Sequence, residues 1–284
     1  MNNLKVTRNK ILKNLKLGLA GLVLAGGIYS TDNLMNSSKN NQELLISNKK
    51  DYFVDSITSK LNKYPTTTHF IYEIQGNSEQ NFSNVNKLDK IINNIKNKFS
   101  KKEQYSKDEV IEMLNAINKE IGDLEIDIKD GKIDCDDLSF IYLAVGEKLN
   151  LNLYGVYAPG HVFIRYDSDG KHDVLNSENP INNEDFNWET TNLREYYDKK
   201  YIEEEKISKE SIENGIYMKN LTKLELLSLG YFNQGNNLFD KKEYNLAIES
   251  YDNALKLYPK NFSFIFNKNL VVFSRNLNST KNKK

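Results

Sequence analysis

The sequence predicts an α+β fold, in which a helix that begins at Cys135 packs on an antiparallel sheet and a helical hairpin follows. Apolar residues recur at helical spacing over 136–148, which predicts the helix. Residues 151–158 and 161–167 are rich in β-branched and aromatic residues, which is typical of strands. Helical spacing returns within 221–275 and predicts the hairpin.

Composition and charge exclude several classes of protein. The chain has 284 residues, with 39 Lys and Arg against 39 Asp and Glu, so its formal net charge is zero. This balance argues against a nucleic-acid-binding protein built on an overall basic field. One cysteine excludes an intrachain disulfide, and with only three histidines it also argues against a zinc site. Because the sequence contains no phosphate-binding loop, dinucleotide fingerprint or ligand cluster, we expect no metal and no organic cofactor.

The amino-terminal segment has the composition of a targeting sequence. Residues 1–31 combine five cations and no acid with a 13-residue uncharged run at 17–29. That run is shorter than the ~20 residues of a spanning helix and fits a secretory signal, whereas its charged and polar flanks argue against a buried core helix. We expect 1–31 to be a signal peptide or an N-terminal membrane anchor and 32–50 a linker. The body would then lie outside the cytoplasm, either anchored or secreted.

The region before the cysteine is predicted to contain helices and one strand. A short helical pattern covers 52–61, and apolar residues recur at helical spacing over 88–99. Ser106 and Glu109 form a capping-box signature that begins another helix. The stretch 66–74 is rich in β-branched and aromatic residues, which predicts a strand.

The region after the cysteine helix carries the predicted sheet. Pro159 and Gly160 form the turn between the first two strands, and residues 171–176 are candidates for a third. A polar loop at 177–185 then leads to a short ordered segment, FNWETT, at 186–191.

The carboxyl-terminal third has two helical patterns with a turn between them at 240–243. Five positions resemble the tetratricopeptide pattern, in which small residues let two helices approach closely: Gly235, Ala247, Tyr251, Ala254 and Pro259. One repeat cannot bury its own apolar face, so this region should dock on the preceding domain or on a protein partner. We expect domains at 51–220 and 221–275 and a disordered tail at 276–284.

Cys135 and His161 are the candidates for chemistry. At the amino end of a helix, unpaired N–H groups and the positive end of the dipole stabilise a thiolate. His161 begins a strand that follows this helix, and an imidazole there can act as a base and then as an acid. A lone cysteine is more often a small buried hydrophobe, and a lone histidine is more often structural. His69 and His172 lack this context, and we interpret them as structural.

Three carboxylates argue against an activated cysteine: Asp134, Asp136 and Asp137. They flank the thiol, and nearby negative charge disfavours a thiolate. The objection weakens if these side chains point away from the sulfur or cap the helix.

The segment from Cys135 to Asn176 resembles the core of the transglutaminase-like superfamily, the papain-type cysteine fold shared by transglutaminases and certain bacterial proteases. It is most similar to bacterial members in which tetratricopeptide repeats follow this core. The resemblance covers roughly residues 105–275 and rests on the cysteine at a helix start, the Pro-Gly-His triplet that ends at His161, and the FNWETT segment.

The resemblance implies that Cys135 is the nucleophile and His161 the general base of a catalytic triad. The third member is usually an aspartate on the strand after the histidine, but by spacing that position is Asn176, with Asp173 near it. Bacterial relatives with a WETT segment use its glutamate, which is Glu189 here. We favour Glu189, because a carboxylate both orients and stabilises an imidazolium, whereas an amide only orients it. Trp188 would either screen the pair from water or lie in the core.

The implied activity is attack on protein or peptide amides through a thioester, resolved by water in hydrolysis or by an amine in acyl transfer. The competing hypothesis is a catalytically silent scaffold, with the tetratricopeptide-like region binding a protein at the cell surface. Either function would involve no nucleic acid, and membrane contact would be made only by the amino-terminal segment.

Overall fold

The computed structural model describes residues 50–76, 79–123, 134–175, 185–191, 194–196 and 198–281. The predicted targeting segment at 1–31 and residues 32–49 of the predicted linker lie outside these residues. Among the described helices, none has the length and apolar character needed to cross a membrane.

Five helices precede a sheet in the described part of the chain: α1 (50–61), α2 (Thr67–Gln75), α3 (Glu79–Lys98), α4 (Lys107–Asp123) and α5 (Cys135–Leu149). The strands follow as β1 (Leu153–Ala158), β2 (His161–Tyr166), β3 (Phe186–Glu189) and β4 (Arg194–Tyr196). The remaining helices are α6 (Asp198–Glu204), α7 (Lys209–Glu213), α8 (Lys223–Asp240), α9 (Tyr244–Leu257) and α10 (Phe262–Lys281).

The four strands form an antiparallel sheet in the order β1-β2-β3-β4. Its two faces contact different apolar clusters. Val162 and Ile164 point into the main core with α5, whereas Phe163 points to the opposite face and packs with Tyr201 and Met218. This alternation follows from the two-residue period of a strand. Both faces of the sheet are therefore covered, the second one in part by α6.

The helix α5 begins and ends with distinct caps. Asp134 is extended and its side chain accepts a hydrogen bond from the Asp137 N–H, while Asn150 ends the helix at φ 61°. Ser139 Oγ donates to the Cys135 carbonyl at 2.7 Å and lies 3.3 Å from the Val162 carbonyl oxygen, so α5 and β2 approach closely at this point. The predicted fold class is confirmed: a helix that begins at Cys135 packs on an antiparallel sheet, and helical hairpins follow.

The strand predicted at 66–74 is wrong, because this stretch forms the helix α2. The Thr66 side chain caps it by accepting from the His69 N–H, and Thr68 Oγ1 donates to the Phe140 carbonyl of α5 at 2.7 Å. Nearly the whole helix is buried among other helices. This burial outweighs the strand preference of its β-branched and aromatic residues.

The third strand predicted at 171–176 is also not found, since the described residues 171–175 form a loop and a turn. The Asp167 carboxylate accepts backbone hydrogen bonds from Gly170, Lys171 and His172. These N–H groups fold back onto the carboxylate and are therefore not used in a strand ladder.

The hairpin of α8 and α9 has the close approach that its small residues predicted. A Cβ added at Gly235 would lie 2.8 Å from Tyr251 Cε1, so only glycine fits there. Gly230 of α8 is similarly close to Ile71 of α2, where an added Cβ would lie 3.0 Å from Cγ2. The hairpin therefore docks on the helices that precede the sheet.

The helix α10 extends to Lys281, whereas a disordered tail was predicted from residue 276. Its last turns are held to α9: Arg275 Nη1 donates to Asn245 Oδ1 at 3.0 Å, and Asn278 Nδ2 donates to the Tyr244 hydroxyl at 2.5 Å. These side-chain contacts between helices are not visible as a sequence pattern.

Candidate active site

The candidate site lies where the amino end of α5 meets the first residue of β2. Cys135 is the first residue of α5 and is partly exposed, and His161 begins β2 directly after the turn from β1. The Cys135 side chain lies close enough to the imidazole to raise the pKa of His161. The structure thus brings together the two residues that the sequence singled out.

Glu189 ends β3 and hydrogen-bonds to the His161 ring. The register pairs Ile164 with Trp188, so one step further along the ladder Glu189 lies opposite Phe163, on the face that carries His161. His161 Nε2 and Glu189 Oε2 are 2.6 Å apart. Because Nε2 bonds to the glutamate, Nδ1 remains for the thiol.

The charge of His161 is set by these two neighbours. Burial, the strongest influence, lowers the pKa of His161, but its interactions with Cys135 and Glu189 outweigh burial and raise the pKa to about 10. The imidazole therefore carries a positive charge at neutral pH. Its side chain is 23% exposed, so solvent reaches it.

Glu189 is held as a carboxylate by four hydrogen bonds. Oε2 accepts from His161 and from the Tyr201 hydroxyl, each at 2.6 Å, and Oε1 accepts from the Thr191 N–H at 3.1 Å and its Oγ1 at 2.8 Å. Burial raises the pKa of Glu189, but the bonds from His161, Tyr201 and Thr191 outweigh it and lower the pKa to about 2. The carboxylate is therefore ionised over the whole neutral range.

The acidic flank of Cys135 carries less negative charge than its sequence indicates. Burial, followed by the neighbouring Asp134, raises the pKa of Asp136 well above its ordinary value. The same two causes raise the pKa of Asp137 to about 7. Asp134 caps the helix, and Asp136 Oδ2 accepts from Asn233 Nδ2 of α8 at 2.6 Å. The predicted objection to a thiolate is correspondingly weaker.

Of the residues considered for the third position, Glu189 is the one whose hydrogen bond to the His161 ring is described. Asp173 lies in the loop after β2, where its Oδ1 accepts from the Leu175 N–H at 3.0 Å, and Asn176 lies outside the described residues. Trp188 packs into the main core on the opposite face of the sheet, with its ring 6.4 Å from that of Phe186. The structure therefore supports the interpretation of Trp188 as a core residue and not as a screen over the pair.

The remaining histidines are buried and paired. His69 Nδ1 lies 2.7 Å from Thr66 Oγ1, and its Nε2 lies 3.0 Å from Asp89 Oδ1. His172 Nε2 lies 2.5 Å from Asp198 Oδ2, within a buried network that also includes Arg165. These contacts fit the structural interpretation of both residues.

Tyr201 is a residue of the site that sequence reasoning missed. It comes from α6, after the FNWETT segment, and its ring stacks on Phe163 with centroids 4.2 Å apart. No motif or spacing marks it in the sequence, since its contact with Glu189 depends on where a seven-residue helix packs.

One carboxylate cluster among the described residues has the geometry to hold a metal ion. Oxygens of Asp167, Asp169 and Asp185 lie within 4.8 Å of one another. Asp185 also accepts from the Ser168 N–H at 2.7 Å, and Asp167 accepts the backbone bonds that close the loop after β2. These hydrogen bonds give the cluster a structural role, which is to hold the turn after β2.

Comparison with known proteins supports the predicted family. Residues 136–213 match the model of the transglutaminase-like superfamily, and 228–261 match that of the tetratricopeptide repeat. The first match begins one residue after Cys135 and includes His161 and Glu189. No curated protein and no solved structure gives a significant match. As the resemblance predicted, the chain carries a transglutaminase-like domain followed by a tetratricopeptide repeat.

Proposed function

We propose that this protein is a cysteine enzyme that acts on amide bonds of proteins or peptides. Cys135 is the nucleophile, His161 the general base and acid, and Glu189 the carboxylate that orients and stabilises the imidazolium. The observation that carries the proposal is a partly exposed imidazole that hydrogen-bonds to a buried carboxylate at the point where α5 begins with a partly exposed thiol. A purely structural cysteine has no need of such a pair.

The proposed first half-reaction forms a thioester. The Cys135 sulfur attacks the amide carbonyl carbon, and its electron pair forms the new C–S bond as the oxygen becomes an oxyanion. The C–N bond then breaks, and the leaving amine takes its proton from the His161 imidazolium. The Cys135 N–H is in the first turn of α5, where backbone donors have no intrahelical partner and are suited to an oxyanion.

The second half-reaction returns the thiol. Water or a primary amine attacks the thioester carbon while His161 takes a proton from the attacking group, and the C–S bond breaks to give an acid or a new amide. Hydrolysis and acyl transfer use the same residues in the same order, so the triad supports both reactions. The protein would act outside the cytoplasm, and this part of the proposal rests on the composition of residues 1–31.

The test is the rate at which iodoacetamide alkylates Cys135 at pH 7, measured by intact-mass spectrometry. Cys135 is the only cysteine, so each added label reports on it alone. We expect His161→Ala to slow alkylation about 100-fold, because the thiolate loses its imidazolium partner. His69→Gln is the matched control and should match the wild-type rate. Equal rates for His161→Ala and the wild type would contradict the proposal.

A second candidate function is a catalytically silent scaffold that binds a protein partner. It is favoured by α10, which exposes four large apolar side chains to solvent: Phe262, Ile265, Phe273 and Leu277. In a silent scaffold the Cys135 thiol would react slowly with iodoacetamide and would not respond to His161→Ala. The alkylation experiment therefore separates the two functions.

A further inference from the structure

The helix α6 covers the face of the sheet on which the His161–Glu189 pair lies. Tyr201, in its middle, is only 5% exposed. Its ring is nearly parallel to that of Phe163, at an interplanar angle of 4°, and lies 6.0 Å from the His161 ring. The phenol is therefore held between the sheet and the helix, and its hydroxyl has little freedom to move.

The Tyr201 hydroxyl and the imidazole bond to the same carboxylate oxygen. Both donors lie 2.6 Å from Glu189 Oε2. Thr191 holds Oε1, so the hydroxyl and Thr191 together fix the plane of the carboxylate. A carboxylate held on both oxygens meets the His161 ring in one orientation, which is the condition for a defined imidazole position.

The position of Tyr201 depends in turn on Asp198, the first residue of α6. A helix of seven residues has little stability of its own, so its tertiary contacts place it. Asp198 Oδ1 accepts from Arg165 Nη2 at 2.7 Å and from Asn187 Nδ2 at 2.8 Å. Arg165 and Asp198 are 1% and 2% exposed. A buried ion pair between β2 and α6 thus fixes the helix next to the candidate site.

We propose that Tyr201 is a positioning residue that fixes Glu189 for its contact with His161, and that the Arg165–Asp198 pair holds the helix that carries it. This inference rests on the proposed cysteine chemistry for its effect on rate, but its effect on the His161 ring is independent of that chemistry. Tyr201 touches neither the sulfur nor a substrate and acts only through the carboxylate.

The test compares Tyr201→Phe with the matched control Tyr217→Phe in the full chain. Both variants remove a hydroxyl from a stacked tyrosine, but only the Tyr201 hydroxyl is described as donating to Glu189, whereas the Tyr217 ring stacks on Tyr157. The first measurement is the NMR resonance of the His161 Nε2 proton, which is assignable because the chain has three histidines. We expect the resonance to shift or broaden in Tyr201→Phe and to keep its wild-type position in Tyr217→Phe.

The second measurement is the rate of Cys135 alkylation at pH 7. We expect Tyr201→Phe to slow it about tenfold, because Glu189 Oε2 loses one of its two donors while the packing of the ring is retained. A wild-type resonance and rate in Tyr201→Phe would overturn the inference. If wild-type alkylation does not depend on His161, the proposed function fails, and the resonance alone still decides the role of Tyr201.

Discussion

Two histidine–carboxylate pairs lie beside α6, and they differ in what else they contact. His161 and Glu189 meet a thiol, and the His161 side chain is 23% exposed. His172 and Asp198 meet a guanidinium, that of Arg165, and the His172 side chain is 1% exposed. The contact between imidazole and carboxylate is nearly the same in both, at 2.6 Å and 2.5 Å.

The difference shows that the third group and the access of solvent decide what such a pair does. In the proposed function the thiol is the nucleophile that the first pair serves. In the second pair the carboxylate is shared with an arginine, and His172 Nδ1 is buried without a hydrogen-bond partner among the described residues. The first pair therefore has the surroundings that the proposed function requires, whereas the second is buried between β2 and α6 and contributes to the fold.

The largest expected effect is a loss of stability, which should be greater when Asp198 is replaced than when Glu189 is replaced. Asp198→Ala should lower the free energy of unfolding by about 3–5 kcal/mol, because it leaves the Arg165 charge buried and unpaired. Glu189→Ala should lower it by only about 1–3 kcal/mol, because its histidine partner reaches solvent and can lose its proton. Urea unfolding at pH 7 measures both.

The control for this comparison removes both charges of the buried pair. The double variant Arg165→Met with Asp198→Leu should be more stable than Asp198→Ala, because no unpaired charge remains in the interior. Equal losses for the two single variants, or a larger loss for Glu189→Ala, would show that the two pairs do not differ in the way proposed.

A second prediction concerns the pH dependence of the first pair. The pKa of His161 is about 10 in the folded protein against an ordinary 6.5, so its stabilisation is fully present below about pH 6.5 and is lost as the pH rises through 10. The pKa of Glu189 is about 2, so its stabilisation is present above its ordinary 4.5 and is lost as the pH falls through 2. The stabilisation from His161 and the stabilisation from Glu189 are therefore both fully present between about pH 4.5 and 6.5.

The measurement is the free energy of unfolding of the wild type and of His161→Gln at pH 5.5 and at pH 9.5. The stability advantage of the wild type should shrink by about 2 kcal/mol between these values, a figure reduced for the partial exposure of the ring. Cys135→Ala, measured in parallel, shows how much of the change depends on the thiol. An advantage that is the same at both pH values would contradict the assigned protonation of His161.

The parts of the site that the sequence predicted are those with a local pattern. Helical spacing after Cys135 and the turn before His161 placed both residues at the ends of elements that meet. Glu189 came only through the resemblance, because it lies 28 positions after His161 with no repeating pattern between them. Its place on the correct face depends on strand register, and register is set by pairing that a single sequence does not show.

The features that the sequence analysis did not predict depend on polar groups buried between segments that are far apart in the sequence. Arg165 and Asp198 are 33 positions apart, and in the sequence each looks like a surface charge. The failure at α2 has the same origin, since its β-branched residues form a helix only because neighbouring helices bury it. Where packing favours neither a helix nor a strand, the local preference of the residues decides which one forms. Elsewhere the packing decides.

The smallest expected effect tests the acidic flank of the thiol. Burial and the neighbouring Asp134 raise the pKa of Asp136 well above its ordinary value, which favours the protonated acid, and an amide has nearly the same shape as that acid. Asp136→Asn should therefore change the rate of Cys135 alkylation at pH 7 by less than about threefold. The Asn233 contact can be kept, because the new amide oxygen can still accept from Asn233 Nδ2. A tenfold or larger acceleration would mean that Asp136 is ionised in the folded protein and that the flank opposes the thiolate as its sequence indicates.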